Sequence, residues 1–77
     1  MKTKRAYINP KVVEGTMDVL QRYKEQHPQD NTPLINACAH EPSSERPRFV
    51  RAAQRLGWNV TRTQGKIYEN GVLAWEA

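Results

Sequence analysis

Apolar residues recur along this chain with two different periods. Between Pro10 and Gln26, Val12, Val13, Thr16, Met17, Val19, Leu20 and Tyr23 return at helical spacing, and Glu14, Asp18, Arg22 and Glu25 take other faces. Asn9-Pro10 opens the run: an Asn side chain accepts from a free backbone N–H, and Pro loses nothing where the N–H has no helical partner. Pro28 ends it, which predicts a helix over 10–26. Gly15 interrupts that helix at a cost of about 1 kcal/mol relative to Ala, and close packing against a neighbouring element would account for it.

Thr32-Pro33 repeats the start signal. Leu34, Ile35, Cys38 and Ala39 then form an apolar stripe that Pro42 stops, predicting a short helix over 33–40. Ser43-Ser44-Glu45 opens a third helix over 44–56, with Pro47 in its first turn. There Phe49, Ala53 and Leu56 stand at i, i+4 and i+7, flanked by Val50 and Ala52, and Gly57 supplies a left-handed C′ residue.

Beyond Gly57 the period shortens to two. Gln64-Gly65 and Asn70-Gly71 mark turns, the second being a strong type I′ hairpin signal. Three strands follow, 58–63, 66–69 and 72–75. Two-residue turns set Thr63 opposite Lys66, Arg62 opposite Ile67, Val60 opposite Glu69, Tyr68 opposite Leu73 and Ile67 opposite Ala74. Alternation then gives one face Trp58, Val60, Arg62, Ile67, Glu69, Val72 and Ala74, expected to pack on the helices, with Arg62 and Glu69 near enough to pair diagonally. The other face holds Asn59, Thr61, Thr63, Lys66, Tyr68, Leu73 and Trp75. Ala6-Tyr7-Ile8 is a candidate for one more short strand. The expected fold class is α+β: three helices followed by a C-terminal antiparallel β-hairpin or three-stranded meander over 58–75. It is expected as a single domain over 1–77, with residues 1–5 a flexible basic tail.

Composition narrows the function. At 77 residues the chain sits in a range where a core rarely contributes more than about 3–5 kcal/mol, so its apolar residues are needed for folding and a deep multi-substrate active site is not expected. One cysteine forms no internal disulfide. No stretch approaches the roughly 18 apolar residues of a membrane span. The basic start Met1-Lys2-Thr3-Lys4-Arg5 is followed by too few apolar residues for a signal peptide. A cytoplasmic protein with no membrane partner is the expectation.

The formal charge is +4. Residues 1–45 are neutral, with six cations and six anions. Residues 46–77 hold Arg46, Arg48, Arg51, Arg55, Arg62 and Lys66 against Glu69 and Glu76, so the whole excess lies there. Arg48, Arg51 and Arg55 cluster on one side of the third helix, opposite its apolar side. Arginine suits phosphate because its planar fork donates two hydrogen bonds at once.

Signals for catalysis are weak by comparison. Cys38 and His40 are two apart, a spacing that sends helical side chains to different faces. With His27 they make three candidate metal ligands without a zinc spacing, where structural zinc wants four. No enzyme, no metal and no cofactor is expected. The nucleic-acid-binding candidates are Arg48, Arg51, Arg55, Arg62 and Lys66, with Gln54 and Asn59 as candidate readers of adenine. Duplex DNA is the favoured partner and RNA the variant. Homodimerisation would strengthen the binding.

The segment Phe49-Val50-Arg51-Ala52-Ala53-Gln54-Arg55-Leu56-Gly57-Trp58 resembles the first half of a helix-turn-helix unit, in which an Ala-Ala-x-x-Leu-Gly-apolar run packs two helices and makes the turn. A recognition helix would then fall at 60–68, where Thr61, Arg62, Thr63 and Gly65 are poor helix formers. The order of elements is more similar to the winged-helix DNA-binding proteins. That resemblance implies that helix 44–56 is the recognition helix and 58–75 the wing, in a regulator or accessory factor of a mobile element. The alternative is a small protein-binding inhibitor or accessory module, such as a phage-encoded one acting on a host protein through Tyr68, Leu73 and Trp75, since Tyr, Trp and Arg are enriched at interface hot spots.

Overall fold

A computed structural model of the chain describes residues 8–76. The expected basic tail at 1–5 lies outside the described residues, as do Ala6 and Tyr7. Ile8 belongs to no strand. The chain folds as three helices followed by a three-stranded antiparallel sheet.

Helix α1 spans Pro10–Gln26, and Asn9 caps it by accepting from the Lys11 N–H at 2.9 Å. It buries Val13, Thr16 and Leu20. Helix α2 covers only Pro33–Ala37, and a turn over 38–40 replaces the expected continuation. Ala39 is exposed there and contributes nothing to the apolar stripe. A 3-10 turn, Ser43–Glu45, leads into α3, Arg46–Arg55. Gly57, at φ +85°, ends α3: its N–H donates to the Gln54 carbonyl and that of Trp58 to the Ala53 carbonyl, each at 3.0 Å. This is the Schellman closure that a left-handed C′ glycine permits.

Strands β1 (Val60–Thr63), β2 (Lys66–Glu69) and β3 (Val72–Glu76) lie in the order β1-β2-β3. Both turns run through positive φ at both residues, Gln64 (51°) with Gly65 (77°) and Asn70 (51°) with Gly71 (82°). The β1–β2 register is as expected, Val60 opposite Glu69 and Arg62 opposite Ile67. The β2–β3 register begins as expected, with Tyr68 opposite Leu73. It then shifts, so that Ile67 faces Trp75 and not Ala74. The irregularity adds one residue to β3, and one residue reverses side-chain direction. Trp75 therefore leaves the side of Tyr68 and Leu73 and packs against the core. Val72, expected to be covered by the helices, stays 48% exposed beside the terminal turn.

The core draws on both layers. Val13 and Leu20 of α1, Leu34 of α2, Phe49, Val50, Ala52 and Ala53 of α3, Val60 of β1 and Ile67 of β2 are buried together with Cys38. Ala52 and Ala53 are fully covered, and such small side chains let α3 lie close to its neighbours. Gly15 has no such role: a Cβ built there meets nothing within 4 Å, so close packing does not explain it.

A carboxylate joins the layers. Glu69, 1% exposed, accepts from the Leu34 N–H at 2.8 Å and the Ile35 N–H at 3.0 Å. These are free donors of the first turn of α2, where Thr32 makes no side-chain cap. The expected Arg62–Glu69 pair is not formed, because the helix start takes both oxygens of Glu69. Burial pushes the Glu69 carboxyl up, and the two N–H donors draw it part of the way back.

Candidate nucleic-acid interface

The fold divides the cations of residues 46–66 between structural and surface roles. At about 100° per residue, Arg48 falls at the edge of the α3 stripe next to Ala52, on the α1 side. Its guanidinium donates to Thr16 Oγ1 at 2.6 Å, pairs with Glu45 and lies 4.7 Å from the centroid of the Phe49 ring. Thr16 in turn donates to the Val12 carbonyl at 2.8 Å. Arg48 thus ties α3 to α1 and does not stand with Arg51 and Arg55 as a free group.

Arg51 and Arg55 are exposed one turn apart on α3, and Arg62 is exposed on β1. No ion pair forms at these three among the described residues. Arg51, Gln54 and Arg62 line one groove of about 310 Å³, with Ile8, Pro47 and Val50 as its apolar wall. The Gln54 amide also reaches the Val60 carbonyl at 3.4 Å, bridging α3 and β1. A second groove of about 400 Å³ adjoins it and shares Pro47, Val50 and Arg62. Ile67 and Trp75 add to its apolar lining, which also includes Arg46 and Glu76.

Arg46 carries no signal in the charge stripe, because its position in the first turn points it toward the sheet. The structure sets its guanidinium 4.9 Å from the Trp75 ring centroid. The β3 irregularity is what brings that ring within reach. Lys66 sits opposite Thr63 and Glu76, half-buried, and alternation puts it on the other side of the sheet from Arg62. The two hairpin cations therefore stand on opposite faces of the sheet. Asn59 is likewise separated from Gln54: it lines a different pocket with Lys24, Pro33 and Asn70. The Asn70 amide donates to the Asn31 carbonyl at 2.6 Å, which holds the β2–β3 turn against the α1–α2 loop.

The remaining chemistry-bearing groups do not form a second site. Cys38 is buried, which pushes its thiol up and away from thiolate chemistry, and His40 is exposed. Among the described residues no group of three His, Cys, Asp or Glu could hold a metal ion. No helix among them is long and apolar enough to cross a membrane. Compared with family models, with curated proteins and with solved structures, the chain matches none.

Proposed function

We propose that the protein is a small non-enzymatic DNA-binding factor of the cytoplasm, a regulator or accessory factor of a mobile element, with α3 as its recognition helix. The observation that carries this reading is the convergence of Arg46, Arg51 and Arg62 on two adjoining grooves, with Arg55 exposed one turn further along α3. Among the residues lining those grooves the only acid is Glu76. Three helices followed by an antiparallel sheet suit a winged-helix arrangement, with β1–β3 in the place of the wing. Exposed guanidinium groups a turn apart can meet successive phosphates along a groove edge, and Gln54 between them can reach a base edge.

Four phosphates neutralised by Arg46, Arg51, Arg55 and Arg62 give a slope of log K against log salt near −3.6, from about 0.9 per phosphate. Fluorescence anisotropy on duplex DNA across a salt series tests this. The Arg51→Ala/Arg55→Ala double variant should bind more weakly, with a slope shallower by roughly 1.8. Absence of binding at low salt, or indifference to that double substitution, rejects the reading.

A second reading, a protein-binding inhibitor or accessory module, keeps one observation in its favour. Val72 and Leu73 are 48% and 44% exposed, and Tyr68 stands opposite Leu73. Trp75 no longer completes that patch. Affinity capture from the host, with and without nuclease treatment, separates the two readings: partners that survive nuclease and are lost on Leu73→Asp support the second.

A further inference from the structure

We infer that the groove between α3 and the sheet is a pocket for one unpaired nucleotide, so that the preferred ligand is duplex DNA with a single-stranded end or an extruded base. The inference rests on the DNA-binding reading and deepens it. The groove of about 400 Å³ falls within the range of small-ligand sites, roughly 300–1,000 Å³. Its lining is mostly apolar, with Pro47, Val50, Ile67 and Trp75, and it includes two guanidinium groups, Arg46 and Arg62. An occupant that suits both features presents a flat face together with anionic groups. An unstacked nucleotide has that form, a base on a sugar flanked by two phosphates.

A closed duplex offers phosphates but keeps its bases stacked, so it would leave this lining uncovered. Proteins of single strands combine a cationic track with planar stacking groups, and the Arg46 guanidinium, 4.9 Å from the centroid of the Trp75 ring that backs it, offers a base both a charge and a flat face. The track is continuous. Arg62 belongs to this groove and to the neighbouring one that contains Arg51, so a strand leaving the pocket passes directly to the exposed side of α3. Glu76 is the one acid in its lining, and its cross-strand partner is Lys66.

The test uses the full chain carrying Trp58→Phe, so that Trp75 is the only tryptophan and its emission reports the groove. One arm titrates a blunt duplex, a second the same duplex with a short thymidine overhang, and a third an acidic leucine-containing peptide. The overhang should quench Trp75 and tighten binding roughly 5- to 150-fold over the blunt duplex, the range expected for stacking one base on an aromatic side chain. Trp75→Leu, which keeps an apolar side chain on the core, should bring the ratio of overhang to blunt-duplex affinity back toward one. Equal binding of blunt and overhang duplexes with unchanged Trp75 emission overturns the inference while the DNA-binding reading stands. Failure of both duplexes to bind overturns both. Quenching by the peptide alone assigns the groove to a protein partner and also overturns it.

Discussion

Glu69 is a glutamate with 1% of its surface exposed, and its hydrogen-bond partners are two backbone N–H groups of α2. Removing it as Glu69→Ala leaves the Leu34 N–H unsatisfied inside the protein, at a cost of about 1–3 kcal/mol for that donor alone. The pH dependence has a definite sign. Burial holds the folded-state pKa above the ordinary glutamate range, so the folded chain binds this proton more tightly than the unfolded one. The contribution of Glu69 is then greatest below that range, falls as pH rises through the raised value and is level beyond it. Urea unfolding from about pH 3 to about pH 7 should show wild type losing stability relative to Glu69→Gln over that window. Asp30 behaves oppositely. The Asn36 amide, the Thr32 N–H and the Tyr23 hydroxyl donate to it, the Asn36 contribution being the largest, and its pKa is lowered. Its stabilisation, measured against Asp30→Asn, is present above the ordinary aspartate range and is lost as pH falls through the lowered value. The start of α2 was legible in Thr32-Pro33, but its cap was not. The carboxylate comes from 35 residues away, and periodicity reads only local neighbours.

At the scale of elements, α1 and the two turns were legible because their signals are local. Gly57 and Asn70-Gly71 hold a positive φ that few other residues adopt, and Asn9-Pro10 supplies a side-chain cap and a first-turn residue that needs no N–H partner. Gly15 was misread for the same reason: its cost is local, whereas its surroundings are not. With open space around its Cβ position, Gly15→Ala should raise stability by about 0.5–1 kcal/mol, read as a higher thermal midpoint. Gln64 has the positive φ of a type I′ turn, a conformation that costs most L residues about 1–2 kcal/mol and Asn less. Gln64→Asn should recover up to about 1 kcal/mol without moving the register, which cross-strand NOEs between Arg62 and Ile67 would verify. The register of β3 was legible only to Leu73. No residue type in Leu73-Ala74-Trp75 marks a bulge. The extra residue follows from the gain in burying the Trp75 ring against the core, a tertiary effect that alternation along one strand does not contain.

Across the whole molecule, the sequence placed the positive charge but not its division of labour. Six cations follow residue 45, and the helical wheel grouped Arg48 with Arg51 and Arg55 because their spacing is regular. Packing separates them. The α1 side of α3 must meet a helix that buries Thr16, and a long cationic side chain at that edge finds Thr16, Glu45 and the Phe49 ring within reach. The opposite side of α3 meets the sheet only at its apolar edge, which leaves a groove between Arg51 and Arg62. Two arginines three residues apart thus differ, Arg48 engaged within the fold and Arg51 exposed, and on the proposed DNA-binding reading single substitutions should separate them. Arg48→Ala removes a charge-assisted hydrogen bond and the cover over Phe49, so it should lower unfolding stability by about 1–2 kcal/mol. On the proposed reading it should leave the salt slope for DNA unchanged, because the Arg48 guanidinium is engaged by Thr16 and Glu45. Arg51→Ala loses no hydrogen bond or ion pair within the described residues. It should leave stability within about 0.5 kcal/mol of wild type and reduce the magnitude of the slope by roughly 0.9. Denaturant unfolding and salt-dependent anisotropy on the same two proteins measure both quantities. A slope that falls with Arg48→Ala as far as with Arg51→Ala would mean that the Arg48–Thr16 contact opens on the nucleic acid.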